Sequence, residues 1–243
     1  MSWEDNPFPR LPFEIVFWLR RVTFRPSTPT RTRREGLPPH ERSPEIILMG
    51  MIGNLTRIPE DVRTALQRDP QLINKLLYPD FEEEPKRAGL LARLFGRSRH
   101  QANSPAVTLP SLGEDDSIDL DKAWHALHFL FTGAAWEGEF PQGFLVTCGE
   151  PVGDIDVGYG PARSFTPIQV KEIAAFLKAQ SGQELRDKLD PKALLEAEIY
   201  PSIWSDFECT DQDWEYFGGS FEVACNFNED AAKKDMALLA YIN

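Results

Sequence analysis

The clearest hydrophobic pattern in the chain lies between Asp119 and Gly133. Residues at helical spacing form one core-facing stripe there, namely Leu120, Trp124, Leu127, His128 and Phe131. Asp119 or Asp121 is suited to accept hydrogen bonds from the first turn, and Gly133 is suited to the left-handed conformation that ends a helix. The pattern predicts a capped amphipathic helix over 119–133 that carries Trp124 and His128 on one face.

The remaining periodic segments predict few strands and several helices. Strands are expected at 51–58, 162–165 and 236–242. Helices are expected from Pro59 and Pro70, after Thr166, and over 183–189, 191–197 and 211–234. Because strands and helices do not alternate regularly, we expect an α+β fold with a small antiparallel or mixed sheet packed against several helices.

Two segments interrupt this pattern. Residues 1–48 are rich in Pro and Arg and show no sustained period, which fits either a flexible basic arm or a misassigned start, with translation beginning at Met49 or Met51. The misassigned start is the favoured interpretation. Residues 79–118 form a long Pro-, Gly- and Ser-containing insertion, predicted to be a flexible loop around a short basic element at 86–97. The rest of 49–243 is predicted to be one domain.

Charge narrows the classes of partner. The net charge is −12, and the first 48 residues carry eight Arg against six carboxylates, so the remaining residues hold a net −14. A body of this charge repels phosphate backbones and attracts a basic, Arg-rich or peptide-like partner, so nucleic-acid binding is not expected.

Cysteine spacing and hydropathy indicate the expected state of the thiols and the expected cellular compartment. Cys148, Cys209 and Cys225 are far apart and form no zinc pattern with histidine, so reduced thiols and no metal are expected. There is no apolar run of about 20 residues and no signal-peptide pattern, so we predict a cytoplasmic protein without a membrane span. No sequence pattern predicts a cofactor.

Four motifs in order resemble the YfbM-like family, a bacterial domain of unknown function. They are Met49–Gly53, Leu120–Gly133, Gly158–Arg163 and Glu198–Pro201, and the resemblance covers about residues 49–243. It implies a small α+β domain. It implies no reaction and supplies no catalytic residue.

Candidate functional residues come from distant parts of the chain. They are Trp124, His128, Tyr159, Arg163, Glu198 and Tyr200, which we predict to line one ligand-binding cleft. Each also has a structural interpretation. His128 suits a core-edge histidine hydrogen-bonded to a carboxylate or a carbonyl, Arg163 suits an ion pair, and the glycine-rich stretch from Gly149 lacks phosphate-loop spacing and suits a structural loop.

Two functional hypotheses remain open. The first is a non-enzymatic domain that binds an unknown protein or small molecule, for which a toxin-neutralising immunity role would suit the acidic charge. The second is a hydrolase or transferase in which His128 and Glu198 form an acid–base pair and Arg163 orients an anionic group. The enzyme requires His128 and Glu198 within hydrogen-bond reach at the wall of an open pocket. An exposed apolar patch of roughly several hundred Å² would instead favour partner binding.

Overall fold

The computed structural model describes residues 50–79 and 109–243. Five strands form one antiparallel sheet in the order β2-β1-β5-β4-β3. The strands are β1 Gly53–Ile58, β2 Ser117–Asp119, β3 Glu150–Asp156, β4 Pro161–Phe165 and β5 Ala237–Ile242. The predicted N-terminal extension and the basic element at 86–97 lie outside the described residues.

Seven α-helices accompany the sheet within the described residues. They are α1 Glu60–Arg68, α2 Leu72–Leu77, α3 Ala123–Thr132, α4 Pro167–Ala179, α5 Gly182–Asp187, α6 Pro191–Glu196 and α7 Asp211–Lys233. Short 3₁₀ helices lie at Glu114–Asp116 and Trp204–Asp206. The predicted α+β class is therefore confirmed. No helix among the described residues has the length and apolar character needed to cross a membrane.

The central strand β5 separates two cores. Leu238 and Ala240 face the larger core, which α3, α4 and α7 complete, whereas Ala237 and Leu239 face the smaller core under α1 and α2. This alternation follows from the two-residue repeat of a strand, and it explains why the segment is apolar throughout.

Local capping sets where two of the main helices begin. The Thr166 hydroxyl accepts a hydrogen bond from the backbone N–H of Gln169. In return, the side-chain carbonyl of Gln169 accepts from the backbone N–H of Thr166. Thr210 and Asp213 form the same reciprocal pair at the start of α7. These capping boxes satisfy amides that have no partner within the helix.

Helix α3 begins later than the hydrophobic pattern predicts. It starts at Ala123 without a side-chain cap, because the preceding residues pair with β1: the Gly53 amide donates to the Asp121 carbonyl at 3.1 Å. Asp119 instead ends strand β2, and the Asp121 carboxylate accepts from the Tyr216 hydroxyl at 3.0 Å. The predicted end is correct, since Gly133 has φ +75° and closes the helix.

The glycine-rich stretch forms a hairpin that the sequence pattern did not predict. Strands β3 and β4 pair across it, and the Asp156 carboxylate accepts from the amides of Gly158 and Gly160 at 2.8 and 2.9 Å. Backbone donors in this turn are thus bound to a carboxylate of the chain itself. The stretch is structural, in agreement with the interpretation favoured from its spacing.

Candidate functional site

The start of α3 carries a stack of aromatic rings. Trp124 and His125 lie with ring centroids 4.7 Å apart and planes within 9° of each other. Trp136, in the loop after the helix, has its centroid 4.3 Å from that of His125, and Tyr200 lies 6.2 Å from Trp124. We call Trp124, His125, Trp136 and Tyr200 the aromatic face.

His125 joins three parts of the chain. Its Nε2–H donates to the Ala135 carbonyl at 2.8 Å, and its Nδ1 accepts from the Tyr200 amide at 3.0 Å. This pair of bonds requires the neutral ring protonated at Nε2. Burial lowers the pKa of His125, and the opposing hydrogen bond to Ala135 offsets only part of that effect. His125 is therefore a neutral, fully hydrogen-bonded support for the rings around it.

Tyr200 and Trp124 are fixed through the backbone of one residue. The Met51 amide donates to the Tyr200 hydroxyl at 3.1 Å, and the Trp124 indole donates to the Met51 carbonyl at 3.1 Å. Gly53 allows Trp124 to approach the sheet, because a Cβ at that position would lie 2.4 Å from the Trp124 Cβ. Both rings are thus held by bonds to the backbone of Met51, two residues before β1.

The aromatic face reaches the surface at Trp136. Its side chain is 54% exposed, whereas Trp124 beneath it is 1% exposed. Tyr159, in the β3–β4 turn, is 51% exposed and close enough to Tyr200 to help raise the pKa of that phenol, although burial is the larger cause. The surface therefore presents a large apolar ring on a rigid base.

His128 does not have the environment that the sequence analysis favoured for it. The side chain is 0% exposed, and neither ring nitrogen has a hydrogen-bond partner among the described residues. Burial lowers its pKa to about 4, the nearby His125 adds to the effect, and the backbone of Glu137 opposes it. The bond to a carbonyl that the sequence analysis favoured is thus reduced to a weak contact with the Glu137 backbone, and the buried His128 ring is neutral.

Glu198 lies on the surface, without a hydrogen bond to His128. It has φ +53° and follows the end of helix α6. Its backbone N–H donates to the Leu195 carbonyl at 3.1 Å, and the backbone N–H of Ile199 donates to the Leu194 carbonyl at 2.9 Å. This is the Schellman arrangement, with Glu at the position that Gly usually occupies. The proposed His128–Glu198 acid–base pair is therefore not formed in this structure.

Arg163 is half-buried in β4. Its guanidinium donates to the Gly149 carbonyl at 3.4 Å, and it forms no salt bridge with any described residue. The ion pair with neighbouring acidic residues, which the sequence analysis favoured for it, is therefore wrong for the described part of the chain.

Comparison with models of protein families identifies the family of this chain. The model of a domain of unknown function, DUF1877, matches residues 49–241. The chain belongs to this family. The finding confirms the resemblance to YfbM-like proteins that the sequence motifs predicted.

A solved structure similar to this DUF1877 chain is the crystal structure of a protein of unknown function, YfbM from Escherichia coli. The two share 17% identity with a TM-score of 0.51, over 79% of this chain and 99% of that chain. At this identity the likeness shows a common fold and nothing of function. Comparison with the curated proteins gives no match.

Two members of the aromatic face in this DUF1877 chain were missed as site residues. His125 was missed because the sequence gives no sign of its bond to Tyr200, 75 residues away. Trp136 lies beyond the helix in a loop, where hydrophobic periodicity carries no information. The available signal was an aromatic residue three positions after the helix-ending Gly133.

A second surface feature is an open cleft of about 420 Å³ beside β2 and α7. In it, Arg57 donates to Asp116 at 3.0 Å and to Asp230, and its guanidinium lies 5.6 Å from the Phe227 ring centroid. Lys234 also pairs with Asp230 at 2.7 Å, so the two cations balance the two aspartates, and we assign the cleft no function. Across residues 50–79 and 109–243, no group of three or more His, Cys, Asp and Glu side chains is arranged to hold a metal ion.

Proposed function

We propose that this chain is a non-enzymatic binding domain whose aromatic face docks a partner protein. The observation that supports it most is the 54% exposure of Trp136, whose ring lies against His125 at 4.3 Å. An indole exposed to this extent gains free energy when a partner covers it. Tryptophan and tyrosine are also the residues that most often dominate binding energy at protein interfaces.

The base of the aromatic face favours binding because it is already ordered. Both ring nitrogens of His125 are occupied, and Trp124 and Tyr200 are each hydrogen-bonded to Met51. A partner that contacts Trp136 therefore immobilises few additional groups, which keeps the entropic cost of association small.

The enzyme hypothesis finds less support in the same region. A general base must reach the proton that it removes, and the His128 ring is 0% exposed. His125 is neutral, and its ring nitrogens are engaged by Ala135 and Tyr200. Neither histidine of α3 is thus free for proton transfer with Glu198.

Affinity capture with matched variants tests the proposal. The wild-type protein, Trp136→Ala and Ile168→Ala would each be expressed with an affinity tag in a cell that makes the protein naturally. Eluted proteins and small molecules are then quantified by mass spectrometry. Ile168 is 69% exposed on α4 and serves as an apolar surface control.

We expect a protein that co-purifies with the wild type and with Ile168→Ala and is depleted about tenfold with Trp136→Ala, as for loss of an interface aromatic. Because Trp136 is exposed, the variant should melt within a few degrees of the wild type, and this check separates lost binding from lost folding. Equal recovery with Trp136→Ala contradicts the proposal. A Trp136-dependent small molecule without a protein would contradict the choice of a protein partner.

A further inference from the structure

We infer that the aromatic face binds a basic segment of its partner, with an arginine guanidinium over the exposed surface of the Trp136 ring. This inference rests on the proposed function. It depends on the charges that surround the aromatic face. It also depends on the attraction that exposed indole rings and carboxylates both exert on a cation.

Exposed carboxylates adjoin the aromatic face in sequence on two sides. Glu137 directly follows Trp136, Glu139 lies two residues further, and Glu198 precedes Tyr200 by two residues. All three are exposed, and none forms a salt bridge with another described residue. We call Glu137, Glu139 and Glu198 the acidic rim. No described cation neutralises these charges, in contrast to those that Arg57 contacts.

Within the described part of the chain, the cation nearest in sequence to the aromatic face is less accessible than the acidic rim. Lys122 and Arg163 are each half-buried, and the Arg163 guanidinium is directed to the Gly149 carbonyl. The chain as a whole also carries a net charge of −12, which strengthens the negative potential. The field at the aromatic face therefore attracts a cationic partner and repels an acidic one.

An arginine fits this combination better than a lysine. Its planar guanidinium stacks on an indole through cation–π attraction and at the same time donates paired hydrogen bonds to a carboxylate. The protein contains the same arrangement internally, where Arg57 lies 5.6 Å from the Phe227 ring centroid and donates to Asp116. The aromatic face and the acidic rim offer the two halves of such a site without the arginine.

Nuclear magnetic resonance of the indole N–H groups tests the inference directly. The full chain would be labelled with ¹⁵N and titrated with a short peptide in which arginine alternates with serine. Peptides with lysine or glutamate in place of arginine serve as matched probes. A Trp136→Phe variant assigns the Trp136 signal. Trp204 and Trp214 are 2% and 6% exposed and provide internal references.

We expect the Trp136 indole signal to shift saturably with the arginine peptide, several-fold more weakly with the lysine peptide and not with the glutamate peptide. The signals of Trp204 and Trp214 should stay in place. Binding should weaken as salt is added, because the acidic rim is exposed. An unmoved Trp136 signal, or an equal response to the glutamate peptide, would overturn the inference.

Variants separate the contribution of the Trp136 ring from that of the acidic rim. Binding of a fluorescent arginine peptide is measured by fluorescence polarisation. Trp136→Ala should weaken binding about tenfold, and Glu137→Gln with Glu139→Gln about threefold. Glu172→Gln with Glu215→Gln removes two exposed carboxylates elsewhere and should change nothing. Equal losses from the two charge pairs would show non-specific attraction and overturn the inference.

The two proposals fail separately. If affinity capture loses a protein with Trp136→Ala but the arginine peptide does not bind, the aromatic face is a docking surface for a different chemistry. If capture shows no dependence on Trp136, the proposed function itself is wrong, whatever the peptide does.

Discussion

The two histidines of α3 should respond in opposite ways to the same substitution. His125 and His128 are both 0% exposed, but within the described part of the chain His125 has well-formed hydrogen bonds at both ring nitrogens, whereas His128 has only a weak contact with the Glu137 backbone. Replacing His125 with leucine leaves an amide and a carbonyl unpaired and should lower the free energy of unfolding by about 2–4 kcal/mol. Replacing His128 with leucine removes unpaired polar atoms, so stability at pH 7.5 should be equal to or above that of the wild type.

Acid should widen the difference between the wild type and His128→Leu. The pKa of His128 is about 4 in the folded protein and 6.5 in the unfolded chain, so the unfolded chain binds the proton first as pH falls. This contribution to stability is present above pH 6.5 and is lost progressively down to pH 4. The linkage relation gives a loss of about 2 kcal/mol between pH 7.5 and pH 5.0, and about 3 kcal/mol in total.

Urea unfolding followed by circular dichroism measures both effects. The wild type and the two leucine variants would be unfolded at pH 7.5, 6.0 and 5.0 at constant ionic strength. All other titrating groups are common to the wild type and His128→Leu, so the change in their difference reports His128 alone. Parallel stability profiles for these two proteins, or a stability loss from His128→Leu at pH 7.5, would refute a buried, neutral ring without a strong hydrogen bond.

Two further substitutions test the support of the aromatic face. Gly53→Ala should destabilise the protein by about 1–3 kcal/mol in urea unfolding, because its Cβ would meet Trp124 at 2.4 Å, whereas Gly182→Ala has its nearest contact at 3.9 Å and should be neutral or stabilising; equal effects would contradict the close contact. Glu198→Gly should raise stability by about 1 kcal/mol, since φ is +53° there, and should weaken arginine-peptide binding two- to threefold by removing a rim carboxylate. A stability loss would show that Glu198 has a structural role which its contacts do not reveal.

Features with local causes could be predicted from the sequence. The capping residues Thr166 and Thr210 are followed at the required spacing by Gln169 and Asp213, and the predicted helix starts are correct there. The terminal strand was also predictable, because a continuous apolar run suits the centre of a sheet.

Features with distant causes could not be predicted. Helix α3 loses its first residues to pairing between Asp121 and Gly53, which are 68 positions apart. The choice of His125 over His128 as the hydrogen-bonded histidine depends on the Tyr200 amide, whereas the helical pattern had placed His128 and not His125 on the core-facing stripe. Strand β3 was hidden because glycines that bend it and close its hairpin also resemble a loop.

Photo-crosslinking at position 136 tests the central claim most directly. A photoreactive phenylalanine analogue would replace Trp136 in one protein and Ile168 in another, and both would be irradiated in living cells that make the protein naturally. We expect a discrete covalent adduct with one protein at position 136 and none at position 168, with the crosslink in a segment rich in arginine. No adduct at position 136, or the same adducts at both positions, would contradict the central claim.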